Sequence, residues 1–136
     1  MIHNSLDLLF KPFRTLLEEK IKGERIAIFE TYRAPSRQTA LFTAGHSKAK
    51  AWQSWHQYGL AVDIVFLDDT GNVTWNGDYD ALASKLKCDK IAWSGDWKNS
   101  YERCHFEWKH SISIQDAATL VATEGTLALW ARLLSA

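Results

Sequence analysis

Little in this sequence could staple the chain covalently or break it up. Its 136 residues include two cysteines, Cys88 and Cys104, two prolines and one methionine. Two thiols exclude the dense disulfide framework of small secreted domains; one Cys88–Cys104 bridge stays an alternative, though a chain made in the cytosol more often keeps such thiols reduced. No charge of one sign prevails: 16 Lys and Arg stand against 16 Asp and Glu, so the formal charge is zero. That argues against the basic footprint nucleic-acid binding requires, and no nucleic-acid partner is expected. No apolar run reaches the roughly 20 residues of a membrane span, so no membrane insertion is expected. The start, "MIHNSLDLLFKPF", has no basic region leading into a long apolar stretch and a small-residue cleavage site. Synthesis in the cytoplasm without a signal peptide is the expectation. Repeats and low-complexity tracts are also missing. What remains is the profile of one domain, 1–136, able to bury a core and expected to be a monomer.

What is abundant is tryptophan. Seven in a chain of this length can build a core, or, where they fall in loops, a stacking surface. Leu6, Leu9, Phe10, Phe13, Leu16, Leu17 and Ile21 recur at helical spacing, giving one helix or two pieces divided near Pro12, with a stop at Gly23. "RIAIFETYR" from Arg25 reads as a strand. "PSRQTALFTAG" reads as a helix, with Pro35 in its first turn and Gly45 at its end. "HSKAKAWQSWHQ" reads as an irregular loop. Residues 60–66 form a strand, "DDTGN" a turn and "VTW" a partner strand. "DYDALASKLKC" is a short helix, "KIAWS" a strand, "GDWKNSYER" a loop and "CHFEW" a last strand. From Ser113 a helical tail runs to 136, with Ser113 and Asp116 as a capping pair and Gly125 as an interruption. The fold class is α+β: a small antiparallel sheet with helices packed around it.

The chemistry begins at Asp63. It stands in the apolar run Leu60–Phe66, where an unpaired carboxylate costs several kcal/mol, roughly 2–7 on transfer scales. Pairing with a Lys or Arg is one solution. A cation is the other, because His56 lies seven residues earlier across a turn that Gly59 permits, and His105 opens a further strand. Two histidines and one carboxylate on one sheet make a three-ligand metal site, the number catalytic zinc uses while leaving one position open. His3, His46 and His110 lack that setting and read as ordinary surface or core histidines. Cys104 is also a candidate ligand, but strand alternation turns it away from His105 and into the core; Cys88 reads as core too. Hydrolysis at such a site needs a base. Glu102, three residues before His105, is the first candidate; Glu107, two residues after it, is the rival, and otherwise supports a histidine. Arg33, at the end of its strand, can hold an oxyanion or a substrate carboxylate.

Four segments carry a family resemblance. "SWHQYGLAVD" matches S-x-H-x-x-G-x-A-x-D, and "ERCH" matches an acidic-x-x-H element. "YRAPSRQTALFTAG" resembles a Y-R-S-x-x-x-Q-x-x-L-y-x-x-G segment, with Ala34 in place of serine. "WSGDWK" resembles W-G-G-D-W, with Ser94 in place of glycine. In this order, over 25–108, they resemble the zinc D-Ala-D-Ala metallopeptidases, whose members include D,D-carboxypeptidases, D,D-dipeptidases and L-alanyl-D-glutamate endopeptidases. The resemblance implies a hedgehog/D,D-peptidase-like fold and one Zn2+ per chain on His56, Asp63 and His105. It implies Glu102 as general base and acid and Arg33 as stabiliser of the tetrahedral intermediate. Ser54 would contact substrate, with Gln38 supporting the same cleft; of the tryptophans, Trp93 is expected in the core and Trp55 nearer the groove.

The implied substrate is the peptidoglycan stem peptide, cut between L-Ala and D-Glu in the manner of a phage endolysin. Such a protein acts on the wall after another protein opens the membrane. The alternatives are a D-Ala-D-Ala carboxypeptidase or dipeptidase, since Glu102 stands where the endopeptidase branch often has Asp. A non-catalytic zinc-stapled binding module, as in hedgehog signalling domains, is a third; such a module needs neither Glu102 nor Arg33.

Overall fold

The computed structural model describes residues 6–97 and 102–135. His3 and positions 98–101 of the anticipated loop lie outside them. A 3-10 turn, Leu6–Leu8, leads into helix α1, Lys11–Ile21. Pro12 sits in its first turn, where a missing N–H costs nothing, so the division anticipated at Pro12 falls just ahead of it. Strand β1, Ile26–Glu30, is followed by α2, Pro35–Thr43. A 3-10 turn at Trp55–Tyr58 then feeds β2, Ala61–Leu67. β3, Val73–Thr74, α3, Tyr79–Leu86, and β4, Ile91–Trp93, follow. β5, His105–Trp108, precedes the helices α4, Ile114–Glu124, and α5, Thr126–Leu134.

All strand pairs are antiparallel, in the order β1-β2-β5-β4, with β3 on β2. Register is what builds the site. Glu30 pairs with Asp63, and Asp63 with His105, so three ionisable residues lie in one row across three strands. Alternation puts the neighbours Val62 and Phe106, also paired, on the opposite face. There they join Trp93, stacked on Phe106 with ring centroids 6.5 Å apart, and the buried Phe13, Leu17, Ile64, Leu86 and Ile91. One face of the sheet is therefore core, and the other carries chemistry.

Two sequence expectations are corrected. The first strand ends at Glu30 and does not reach Arg33. A register irregularity between Ile28 and Glu30 ends the ladder, and the chain turns toward the 3-10 segment, where the Arg33 N–H donates to the His56 carbonyl at 3.1 Å. The last strand starts at His105, with Cys104 in the turn before it, so alternation does not govern where the Cys104 side chain goes.

Candidate metal centre and its cleft

The local chain geometry around His56 is set by its neighbours. Ser54 caps the 3-10 turn: its Oγ accepts from the His56 N–H at 3.3 Å, and its own N–H donates to Gln57 Oε1 at 3.1 Å. Gly59 closes the turn at φ +69°, a left-handed conformation that favours glycine. A Cβ there would also run into the Leu8 carbonyl and the Trp130 ring. The His56 Nδ1–H donates to the Thr31 carbonyl at 2.8 Å. That bond fixes the tautomer and leaves the Nε2 lone pair facing inward, buried and without a hydrogen-bond partner among the described residues, 3.5 Å from Asp63 Oδ1.

His105 mirrors this arrangement. Its Nε2–H donates to Glu107 Oε1 at 2.8 Å, and its Nδ1 lies 3.2 Å from the same Asp63 Oδ1. Ligand atoms of His56, Asp63 and His105 thus lie within 4.8 Å of one another, on three buried residues. Converging acceptors around one point repel unless a cation sits among them. The orphaned Nε2 of His56 is the clearest sign that these residues fit a metal ion. The electrostatics agree. Burial alone would raise the Asp63 pKa, but the neighbouring imidazoles override it and hold the carboxyl well below its usual range. Burial would likewise lower His105, yet Asp63 and Glu107 push it up to about 10. Either a proton or a metal must stand between His105 and its carboxylates.

Arg33 supplies part of the answer to the buried Asp63, as the pairing alternative anticipated. Its Nη2 lies 3.4 Å from Asp63 Oδ2 and 2.6 Å from Glu30 Oε1, its Nε donates to Glu30 at 3.1 Å, and its Nη1 donates to Gln38 Oε1 at 2.8 Å. Glu30, which also pairs with Arg37, went unnoticed in the sequence; its signal was a carboxylate at a strand end with arginines three and seven positions on. Gln38 is wholly buried and does not line the cleft. Besides Arg33 it accepts from Gln57, and it donates to Ser47 Oγ and the Ala49 carbonyl, so it braces the wall.

A cleft of about 370 Å³ opens over His56 and His105, lined among others by Arg33, Ser54, Trp55, Trp97, Glu102 and Glu107. Glu102 is exposed, and a carboxylate oxygen of it lies within 4.8 Å of one from Asp63. Its backbone is clamped by the buried Ser94, whose Oγ accepts from the Glu102 N–H at 2.9 Å and donates to the Glu102 carbonyl. Nothing in the sequence pattern pointed to this clamp, beyond serine standing where the resemblance has glycine. The Cys104 thiol packs against the core yet also approaches Asp63 and Glu102. Burial, then those carboxylates, push its pKa up, which disfavours the thiolate a metal would need. Trp93 is buried, with its Nε1–H donating to the Arg103 carbonyl at 2.7 Å. Trp55 is half-buried, packs on Tyr58 and His110, and still lines the cleft. His46 is exposed and His110 half-buried, and neither belongs to the His–Asp–His cluster.

Fold and site together form an arrangement fit for metal-assisted hydrolysis: a small antiparallel sheet presenting a His–Asp–His cluster to an open cleft with a carboxylate beside it. Comparison with known proteins points the same way. Residues 47–108 match a family model described as D-alanyl-D-alanine carboxypeptidase. The peptidoglycan L-alanyl-D-glutamate endopeptidase CwlK of Bacillus subtilis is 30% identical over 103 residues, 63% of this chain and 62% of CwlK. This chain therefore spans less than two thirds of that curated relative. The crystal structure of the Serratia marcescens L-Ala D-Glu endopeptidase ChiX superposes with a TM-score of 0.65 at 25% identity, covering 76% of this chain and 83% of ChiX. The vancomycin resistance D,D-pentapeptidase VanY, solved in complex with Zn(II), shares the fold, with a TM-score of 0.51 at 22% identity over 85% of this chain and 77% of VanY. Over residues 47–108 the chain is thus similar to the family that its four sequence segments resemble.

Proposed function

We propose that this protein is a zinc-dependent peptidase of the peptidoglycan stem peptide, cutting between L-Ala and D-Glu. The observation that carries the reading is the orphaned His56 Nε2, converging with Asp63 and His105 Nδ1 beneath an open cleft that also holds Glu102. His56, Asp63 and His105 would hold the ion. When bound, zinc supplies Lewis acidity and brings a water's pKa toward about 7. Glu102, on its clamped backbone, takes the proton of the attacking water and returns it to the leaving amine. Arg33 offers its charge and one Nη1 hydrogen, without a partner among the described residues, to the developing oxyanion. Glu107 holds His105 in the tautomer that turns Nδ1 to the metal. A merely structural zinc would need neither Glu102 nor the cleft.

The L-Ala–D-Glu bond is favoured by the names of two relatives, CwlK and ChiX. The family description, D-alanyl-D-alanine carboxypeptidase, keeps cleavage at D-Ala-D-Ala as a second reading. We further infer a catalytic domain that acts on the cell wall as an endolysin. Digestion of purified peptidoglycan with mass analysis of the new ends decides the bond. New N-terminal D-Glu is the expected result, and release of free D-Ala instead would establish the second reading.

A further inference from the structure

The cleft has a cation that the proposed chemistry leaves unused. Lys48 lines it, between α2 and the 3-10 turn of His56, and is exposed. Among the described residues its ammonium has no hydrogen bond or ion pair. Its backbone is nevertheless held firmly, because both neighbours are tied to the buried Gln38. Ser47 Oγ accepts from Gln38 Nε2 at 2.9 Å and from the Ala49 N–H at 3.2 Å, and the Ala49 carbonyl accepts from the same Gln38 Nε2. Gln38 in turn holds Arg33. One buried amide thus sets the position of Lys48 relative to the metal ligands.

The other charges lining the cleft are committed or negative. Arg33 is bound to Glu30, Asp63 and Gln38, so its charge is largely offset. Glu107 is bound to His105, and Glu102 is a carboxylate. A substrate carboxylate entering this cleft would meet Glu102 on one wall and need a cation elsewhere. We propose that Lys48 is a specificity-determining residue that receives a carboxylate of an acidic peptide substrate adjacent to the scissile bond. This rests on the L-Ala–D-Glu reading, in which the D-Glu residue carries one carboxylate left free by its peptide bonds. A lysine suits the role as a flexible point charge, whereas the Arg33 fork, one Nη1 hydrogen apart, faces Glu30, Asp63 and Gln38.

The test compares two stem peptides, one with that D-Glu carboxyl free and one with it as the amide. They are turned over by the zinc-loaded wild type, Lys48→Ala and Lys48→Glu. The expected result is a KM for the free acid about three- to tenfold higher in Lys48→Ala, as loss of a partly solvated charge pair gives. The amide peptide should hardly change, with kcat, zinc content and melting temperature as in wild type. Lys48→Glu should be worse still on the acid, and the gap should narrow at high salt. Equal losses on acid and amide, or no loss on either, would overturn the subsite. If wild type cuts neither peptide after L-Ala, the reading of the bond fails and the subsite falls with it; if it cuts both normally, only the subsite is at stake.

Discussion

Two carboxylates flank His105, and their surroundings assign them different work. Glu107 lies on the sheet face of His105, paired across to Ala61 and Ala92, with its Oε1 on the imidazole Nε2–H. Glu102 sits in the cleft with a carboxylate that has no hydrogen-bond partner among the described residues, on a clamped backbone. Glu102→Ala should therefore retain metal and fold yet lose activity by on the order of 100 to 10,000-fold. Glu107→Ala should instead weaken metal binding by about 10 to 100-fold, read by competition with a chelator, because the imidazole loses its orienting partner. Normal metal affinity in Glu107→Ala would show that this bond does not tune the site. At this scale the sequence was informative where a residue broke its local pattern. Asp63 in an apolar strand and histidines at matching spacing were visible for that reason. Glu30, Ser94 and Lys48 were not, since a carboxylate at a strand end, a serine and a loop lysine fit ordinary surroundings. Their surroundings come from register, from the Glu102 backbone beside Ser94 and from the buried Gln38 amide beside Lys48, which exist only once the chain has folded.

At the scale of elements, periodicity and turn chemistry were enough to find most helices and strands in order. The 3-10 turn of Trp55–Tyr58 falls in the expected loop, because three or four residues carry too little periodicity to show. The ends of β1 and β5 were misjudged because pairing with β2, not local composition, stops them. The tryptophans divide along the same line. Trp93 lies on the core face, stacked on Phe106 and bonded through its indole. Trp55 lies on the capped turn at the cleft rim. Trp93→Ala should lower stability by about 3–5 kcal/mol, as loss of a large buried ring does. Trp55→Ala should cost less in a thermal melt and more in KM on polymeric substrate. A large melting drop for Trp55→Ala with activity per folded molecule unchanged would remove it from the groove and leave it a packing residue.

For the whole molecule, the question is what the helices beyond the matched segment contribute. The family match ends at residue 108, and the tail's helical pattern does not say where it docks. In the fold, Ala117 and Leu129 are buried and α4 packs against α5. Trp130 reaches furthest: its Nε1–H donates to the Tyr58 carbonyl at 2.8 Å, and its ring lies 6.1 Å from that of Phe10. It also covers Gly59, where even a Cβ would collide with it. Tyr58 and Gly59 end the turn that carries His56, so α5 supports that turn from outside the matched segment. Trp130→Phe keeps most of the ring packing and removes the donor, leaving a carbonyl without its partner. A stability loss of about 1–3 kcal/mol is expected, the usual cost of an unsatisfied buried group. Trp130→Ala should add the cost of a cavity and loosen the turn, lowering metal affinity as well as the melting temperature. Chelator competition beside thermal melts of the two variants checks this. If both lose stability while metal affinity in the folded protein stays that of wild type, α5 stabilises the core without positioning His56.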